Sequence, residues 1–401
     1  MTSNWKEYKL KNILAEKGYI RGPFGSALKR GELKNTGIPV YEQQHAIYNN
    51  RNFRFFIDEK KYEELHRFST ETNDLIISCS GTVGKVTIVK ESDPKGIISQ
   101  ALLILRANTE IALPVYLKYF FESTEGYNSI ISRSSGSVQI NIAKREVIEN
   151  IPIKLPDLKT QRKIAKVLSA IDGKIELNNS LNNNLEQQAQ AIFKSWFVDF
   201  EPFGGTMPDG WITGHLSDLA DVKSGKRPNK KSTDKTIEMN IPIVGAASIM
   251  GYTNEYLYNE KILVTGRVGT HGVIQKFCTP CWTSDNTLII VTKYYEFIYQ
   301  VLKTIDFQNM NRGSTQPLIT QTDLKNIEII IPGNDILENF EVKIDSLMKL
   351  QNNLLAENEQ LSALRDTLLP KLMSGEIDVS NVEIEDILDN SSTDNLSFSE
   401  D

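Results

Sequence analysis

The stretch IISCSGTVGKV, Ile76 to Val86, is met again as ILVTGRVGTHGV, Ile262 to Val273. Working outward, Ser99 opens SQALLIL, and Ser284, 185 residues further on, opens SDNTLII. SSGSVQINIAKREVIENIPIKLP (Ser134 to Pro156) is echoed by NRGSTQPLITQTDLKNIEIIIP (Asn311 to Pro332), and IPVYEQQHAI (Ile38 to Ile47) by IPIVGAASI (Ile241 to Ile249). The order is the same in both halves. Self-similarity of this kind outranks any local signal, and it makes the chain an internal repeat.

Each half has the same anatomy. Short β-branched runs such as Leu75 to Ser78, Val86 to Val89 and Leu102 to Leu105 are punctuated by Gly, Asn and Ser, the pattern of strands and turns. A long helical stretch follows. Ile164, Ile171, Asn178, Leu185 and Ile192 recur every seven residues in the first half; Phe340, Leu347, Leu354, Leu361 and Leu368 do so in the second. Such a seam must face a partner helix. Asp157 and Asp335, each just past a proline-ended strand, are the candidate N-caps. A helix of about 40 residues is about 60 Å long. The fold class expected is therefore α+β: two similar mixed α/β globular domains separated by two long antiparallel coiled-coil helices, with a pseudo-two-fold repeat. The boundaries expected are 1–156 for the first domain, 157–206 for the first helix, 207–333 for the second domain and 334–376 for the second helix. Residues 377–401 are acidic, poor in apolar residues and expected to lack structure. The plainer alternative, each seam covering only its own domain, leaves too long an apolar stripe for a domain of about 150 residues.

Composition sets the frame. At 401 residues the chain holds two ordinary domains, and its 40% hydrophobic and 24% charged content are those of a globular protein. MTSNWKEYKLKNIL at the start is polar and charged, unlike a signal or transit peptide, and no apolar run approaches the roughly 18 residues that span a bilayer. No membrane role is expected. Three cysteines build no disulfide framework, which fits a cytoplasmic location. The net charge of −6 hides an uneven distribution: Met1 to Leu158 carry 22 Lys+Arg against 18 Asp+Glu, whereas the last 25 residues carry eight acids and no base. Setting those eight acids aside turns −6 into +2. DNA binding is permitted, because phosphate contact needs a local basic surface and not a basic total.

Catalytic readings find little support. No Pro-Pro pair exists to begin an amino-methyltransferase loop. SGTVGK, Ser80 to Lys85, has two residues between its glycines where a phosphate-binding loop needs four, so it reads as a turn between strands. Asp157-Leu158-Lys159 and Asp323-Leu324-Lys325 resemble fragments of a nuclease site, but capping or surface charge explains both. Cys278, Cys281 and His271 could supply three zinc ligands; a closed structural site needs four, and no metal site is expected. Four histidines without spaced carboxylate partners do not suggest acid–base chemistry. Trp196, Phe197, Phe200 and Phe203 could form a stacking platform for single strands, though packing at a helix–domain joint is the simpler account.

The strings at the helix ends carry a resemblance. AIFKSWFVDFEPF (Ala191 to Phe203), MPDGWITGHLSDLADVKSGKRP (Met207 to Pro228), RDTLLPKLMSGEI (Arg365 to Ile377) and LPDLKTQRKIAKVLSAID (Leu155 to Asp172) closely resemble the specificity subunits of Type I restriction-modification enzymes. The likeness covers nearly the whole chain except the acidic tail. One departure is NDILENFEVKI at the start of the second helix, where a QRKIA-type start would match. The resemblance implies a non-catalytic bipartite reader in a bacterial defence system: each globular domain a target-recognition domain for half of an interrupted, asymmetric site. The paired helices would dock two methyltransferase subunits, and restriction subunits would join that core. S-adenosylmethionine, ATP and magnesium would belong to those partners, leaving this chain with no cofactor of its own. A related multisubunit restriction system, or a scaffold that does not read sequence, are the alternatives. A rigid spacer between two readers suits a duplex whose major groove repeats about every 34 Å.

Polar turn residues are the candidates for contacting double-stranded DNA, since Arg and Lys match guanine's acceptors and Asn and Gln match adenine's edge. In the first domain these are Lys29, Arg30, Gln43, Gln44, His45, Lys85, Arg133, Ser135, Ser137 and Gln139. In the second they are Lys226, Arg227, Lys230, Lys231, Arg267, His271, Arg312, Ser314, Thr315 and Gln316. Ser137 and Gln139 fall opposite Ser314 and Gln316 in the repeat.

Overall fold

A computed structural model describes residues 5–24, 27–134, 140–268, 272–307 and 318–383. The chain folds as two compact units, one of residues 1–176 with 358 onward, the other Leu177–Glu357. Both divisions fall inside the long helices, so each unit owns half of each.

Unit 1 runs β1 (Lys6–Lys9), β2 (Leu14–Arg21), β3 (Ile38–Tyr41), α1 (Gln43–Tyr48), β4 (Phe56–Ile57), α2 (Glu59–Glu64), β5 (Leu75–Ser78), β6 (Val86–Ile88), β7 (Ile97–Ile98), β8 (Leu102–Ala107), α3 (Pro114–Glu122), α4 (Thr124–Ile131), α5 (Arg145–Glu149), β9 (Pro152–Leu155) and the first half of α6 (Leu158–Phe197). Its sheets have the orders β2-β8-β5-β6, β4-β3-β7 and β1-β9. Unit 2 runs, after the rest of α6, β10 (Ile212–His215), β11 (Asp221–Ser224), β12 (Ile241–Val244), β13 (Ile249–Thr253), β14 (Ile262–Gly266), β15 (Gln275–Phe277), β16 (Trp282–Thr283), β17 (Thr287–Val291), α7 (Tyr295–Thr304), α8 (Gln321–Lys325), β18 (Glu328–Ile331) and the first half of α9 (Asn334–Met373). Its sheets are β11-β17-β14-β15, β13-β12-β16 and β10-β18.

The two sets of sheets match strand for strand. In each unit the four-stranded sheet is antiparallel. In each three-stranded sheet the middle strand pairs antiparallel on one side and parallel on the other. The central strands are apolar on both faces, as Leu75–Ile77 and Leu288–Ile290 show, because each unit covers its sheet from both sides. The repeat read from the turns is thus a repeat of fold.

The helices pack as the heptads require, with a refinement. In unit 1, Ile164 and Leu168 of α6 share one core with Leu369, Leu372 and Met373 of α9, and the Asp172 carboxylate meets Arg365 at 3.3 Å. In unit 2, Ala189, Phe193 and Phe197 share a core with Leu337, Phe340, Ile344 and Met348. The Asn178 amide donates to Glu357 (2.8 Å), and Gln351 donates to the Asn182 carbonyl (3.4 Å). In both units the partner number on α9 falls as that on α6 rises, so the helices are antiparallel. Within the heptad series, Ile164, Ile171, Leu185, Phe340 and Leu354 are buried, while Ile192, Leu347, Leu361 and Leu368 are only half-buried. The fully buried positions follow the 3.6-residue helical period more closely, because each stripe faces both the other helix and its own unit's sheet. Asn178, polar and fully buried in the seam, is a residue type that fixes register in such pairings.

Two boundary expectations change. Asp157 does cap α6, its carboxylate accepting from Thr160 N at 2.8 Å. Asp335 does not cap α9: the helix begins at Asn334, placing Asp335 in the first turn, where the helix dipole still favours a carboxylate. The acidic segment is structured at its start. Val379 is 6% exposed in the unit 1 core, Ile377 and Val382 pack beside it, and Lys166 donates to the Glu383 carbonyl at 2.8 Å. Three apolar side chains in an otherwise acidic run suffice to hold residues 377–383 against α6; the remainder, 384–401, lies outside the described residues. The aromatic cluster is core: Phe197 is 4% exposed, with its ring 5.8 Å from Trp211 and 5.0 Å from Phe340.

Candidate nucleic-acid interface

Two surfaces recur in both units, and each is fixed by backbone sterics. The first is the loop leaving β2 or β11. A Cβ on Gly22 would lie 2.0 Å from the Ser99 carbonyl oxygen, and one on Gly225 would lie 2.0 Å from that of Ser284. No other residue type lets the chain cross there. Those are the two serines 185 residues apart that marked the repeat. Past this crossing, the loop carries the exposed Lys29 and Arg30 in unit 1, where Glu32 ties it to Lys61 of α2 at 2.9 Å. In unit 2 it carries the exposed Lys226, Arg227, Lys230 and Lys231. There the Trp282 indole donates to the Lys226 carbonyl (2.7 Å) and Arg227 approaches Asp285 (3.8 Å).

The second surface is the turn after β5 or β14. In unit 1, Ile142 N donates to the Cys79 carbonyl (2.9 Å) and Ser80 bridges Asn141. In unit 2, Ile319 N donates to the Arg267 carbonyl (3.0 Å) and Val268 bridges Leu318. In unit 1 the turn gathers several polar side chains. Gln43 of α1 donates to the Ser80 carbonyl, and Ser80 Oγ donates to Asn141 Oδ1 (2.8 Å). The Lys85 ammonium stands 5.1 Å from the centre of the Tyr127 ring. Arg133, exposed just past α4, donates to the Ser129 carbonyl (2.7 Å). Arg267, which stands in unit 2 where unit 1 has Cys79, is half-buried.

Of the sequence candidates, Gln43 and Lys85 come together around this turn, with Arg133 on the neighbouring helix end. Gln44 lies beside Gln43 but donates to the Asn52 carbonyl (3.2 Å). An amide has two N–H donors and one oxygen, so this bond does not exhaust it. His45 is a correction. It is fully buried between Tyr41 and Phe53, Glu42 N donates to its Nδ1 (2.7 Å), and burial holds its pKa below the ordinary histidine value. It anchors α1 and presents nothing to DNA. Ser135, Ser137, Gln139, His271, Arg312, Ser314, Thr315 and Gln316 lie outside the described residues. Asn141, Tyr127 and the 73%-exposed Tyr48 of α1 were not singled out from sequence, although Asn141 sits inside one of the repeated strings.

Among the described residues no group of His, Cys, Asp and Glu could hold a metal ion, and no helix is long and apolar enough to cross a membrane. Cys281 is buried and Cys278 exposed.

Comparison with known proteins agrees with this architecture. The chain is 29% identical, over 94% of its length and 95% of the relative's, to the specificity subunit of the Type I restriction enzyme MjaIX of Methanocaldococcus jannaschii. It is 26% identical, over 73% of its length and 84% of the relative's, to that of HindI of Haemophilus influenzae. The S subunit of a Type I restriction-modification system from M. genitalium has the same fold, with a TM-score of 0.59, 17% identity and coverage of 92% of this chain and 96% of that one. Residues 2–187 and 208–360 both match the model of the Type I restriction modification DNA specificity domain. Two matches, one to each half of a repeat already visible in its strands and glycines, place this chain in the family of Type I restriction-modification DNA specificity subunits, whose work is to recognise DNA sequence.

Proposed function

We propose that the chain reads a bipartite, asymmetric DNA site, one half with each unit, and itself catalyses nothing. The observation that carries this is a shared skeleton under unlike surfaces. Gly22 with Ser99 and Gly225 with Ser284 set the same crossing, yet the loop beyond it carries Lys29 and Arg30 in one unit against Lys226, Arg227, Lys230 and Lys231 in the other, and Arg267 stands where unit 1 has Cys79. Two similar mounts bearing different side chains suit two different half-sites. The paired α6 and α9 offer near-equivalent surfaces to two copies of one methyltransferase subunit, and restriction subunits complete the assembly. S-adenosylmethionine, ATP and magnesium are held by those partners in a cytoplasmic complex.

The test is a domain exchange. Replacing Met1 to Pro156 with the matching segment of another specificity subunit should change one half of the methylated sequence and leave the other half intact. Change in both halves, or in neither, defeats the modular account.

A further inference from the structure

Unit 1 carries a basic cleft beside the loop that leaves β2, with Phe24 of that loop on its wall. It encloses about 760 Å³ and is lined by Lys17, Arg21, Arg67, Arg106 and Arg145, with Glu16 and Glu71 as the carboxylates on its wall. Two of these cations are already committed: Arg106 to Asp74 (2.8 Å) and Glu71 (2.6 Å), Arg145 to Glu149 (2.7 Å). Among the described residues, Lys17, Arg21 and Arg67 pair with no carboxylate.

Three guanidiniums in the cleft stand over aromatic rings: Arg21 over Phe24 (5.6 Å), Arg67 over Phe68 (4.4 Å) and Arg145 over Tyr19 (5.0 Å). A guanidinium over a ring can turn its N–H edge to an in-plane anion while its orientation is held. Arg21 donates one of its five N–H groups to the Leu102 carbonyl (3.0 Å), which holds it further and leaves the others.

The repeat supplies an internal control. Since Gly22 matches Gly225, Arg21 matches Ser224; the registers Arg21↔Leu103 and Ser224↔Leu288 agree, which matches Arg106 to Val291. Arg145 and Gln321 open the equivalent short helices. In unit 2 the Gln321 amide donates to Ser224 Oγ at 2.7 Å, so a neutral hydrogen-bonded pair stands where unit 1 has two arginines. The same position in the same fold is basic in one unit and neutral in the other, so the fold itself does not require the charge.

We propose that this cleft is a phosphate-binding site, with Arg21, Arg67 and Lys17 as its ligating residues, and that it grips the backbone of the DNA which unit 1 reads. The proposal rests on the DNA-recognition reading and deepens it. It makes the two units unequal: unit 1 holds phosphate here, and unit 2 does not.

The experiment measures affinity of the full chain, in complex with its methyltransferase subunit, for a duplex of arbitrary sequence as salt is raised from about 50 to 200 mM. Each phosphate-bound cation adds about 0.9 to the slope of log affinity against log salt. Lys17→Gln with Arg67→Gln, both exposed positions, should lower that slope by about two while thermal melting and the sequence of the methylated site stay unchanged. Adding Arg21→Gln should lower it further; Gln321→Ala in unit 2 should not change it. A parallel arm titrates ATP and inorganic phosphate against the wild type and follows melting. Stabilisation lost in the double variant, with an unaltered DNA slope, would identify a free nucleotide or phosphate as the occupant and overturn the backbone assignment. An unaltered slope without such stabilisation overturns the site altogether. A wild-type complex indifferent to duplex DNA at every salt would instead defeat the DNA reading itself.

Discussion

Replacing Phe340 by Ala should loosen α9 from unit 2 and leave unit 1 standing. Phe340 is fully buried, with ring centres of Phe193, Trp196, Phe197 and Phe297 at 6.2, 6.0, 5.0 and 6.3 Å. Truncation exposes a cavity that four rigid rings cannot close. Removing roughly 150–200 Å² of buried surface at about 25 cal/mol per Å² gives about 4–5 kcal/mol. Phe→Ala substitutions in cores cost about 3–5 kcal/mol, so the two routes agree near 4. For a unit of this size, that lowers its melting transition by on the order of 10 °C. The assay is calorimetry paired with hydrogen exchange. Val342→Ala, at a 75%-exposed position on the same helix, is the control and should cost under about 0.5 kcal/mol. Protection should fall in β14, β17 and α7 and persist in β5 and β8. A Phe340 variant that melts with the wild type, or that loses protection equally in both units, would refute the argument that each helix half belongs to its own unit's core.

Two further outcomes are expected. Burial pushes the Glu341 carboxyl up to about 7, although its oxygens accept from Glu296 N (3.1 Å) and Phe297 N (2.8 Å) at the start of α7. A carboxyl raised above its unfolded value of 4.5 stabilises fully below that value, and the contribution is lost as pH rises through 7. Glu341→Gln should therefore gain on the wild type between about pH 5 and 8, by on the order of 3 kcal/mol; parallel stability curves would contradict the assignment. Gly225→Ala should cost about 1–3 kcal/mol through the crowded Ser284 carbonyl and alter only the half of the site read by unit 2. An unchanged site and melting temperature would show that the crossing tolerates a side chain.

How much of this was legible in the sequence depended on how local each signal is. Glycine–serine crossings and β-branched runs are local, so the repeat and its strands were readable from residues such as Gly22, Ser99, Gly225 and Ser284. The seven-residue series found the helices but overstated the seam, since Ile192 and Leu347 face a boundary shared between partner helix and sheet. His45 misled because α1 spans six residues, too few for a helical period to announce which side is buried. The basic cleft was not legible at all. Its cations come from residues 17, 21, 67, 106 and 145, each unexceptional in its own string. The pairing of β2 with β8 brings 17, 21 and 106 together, and the tertiary fold adds 67 and 145 from segments far away in sequence.

The two units also solve one mechanical problem with different chemistry, which bears on how such a chain can change what it reads. The amides at the start of α3 and α7 need acceptors, because the first turn of any helix leaves its donors without partners. In unit 1 the Gln161 side chain of α6 accepts from Leu113 N at 2.9 Å; in unit 2 Glu341 of α9 accepts from Glu296 N and Phe297 N. These residues are not counterparts in the repeat, since Ile164 and Phe340 occupy matching seam positions and Gln161 precedes the one while Glu341 follows the other. The joint between long helix and globular unit is therefore held by the requirement that buried donors be satisfied, and that requirement accepts more than one residue. Loops beyond Gly22 and Gly225 touch none of these bonds. A substitution there, or at the strand ends just before those glycines, such as Arg21 against Ser224, can redraw the surface offered to DNA while the helix joint keeps its geometry.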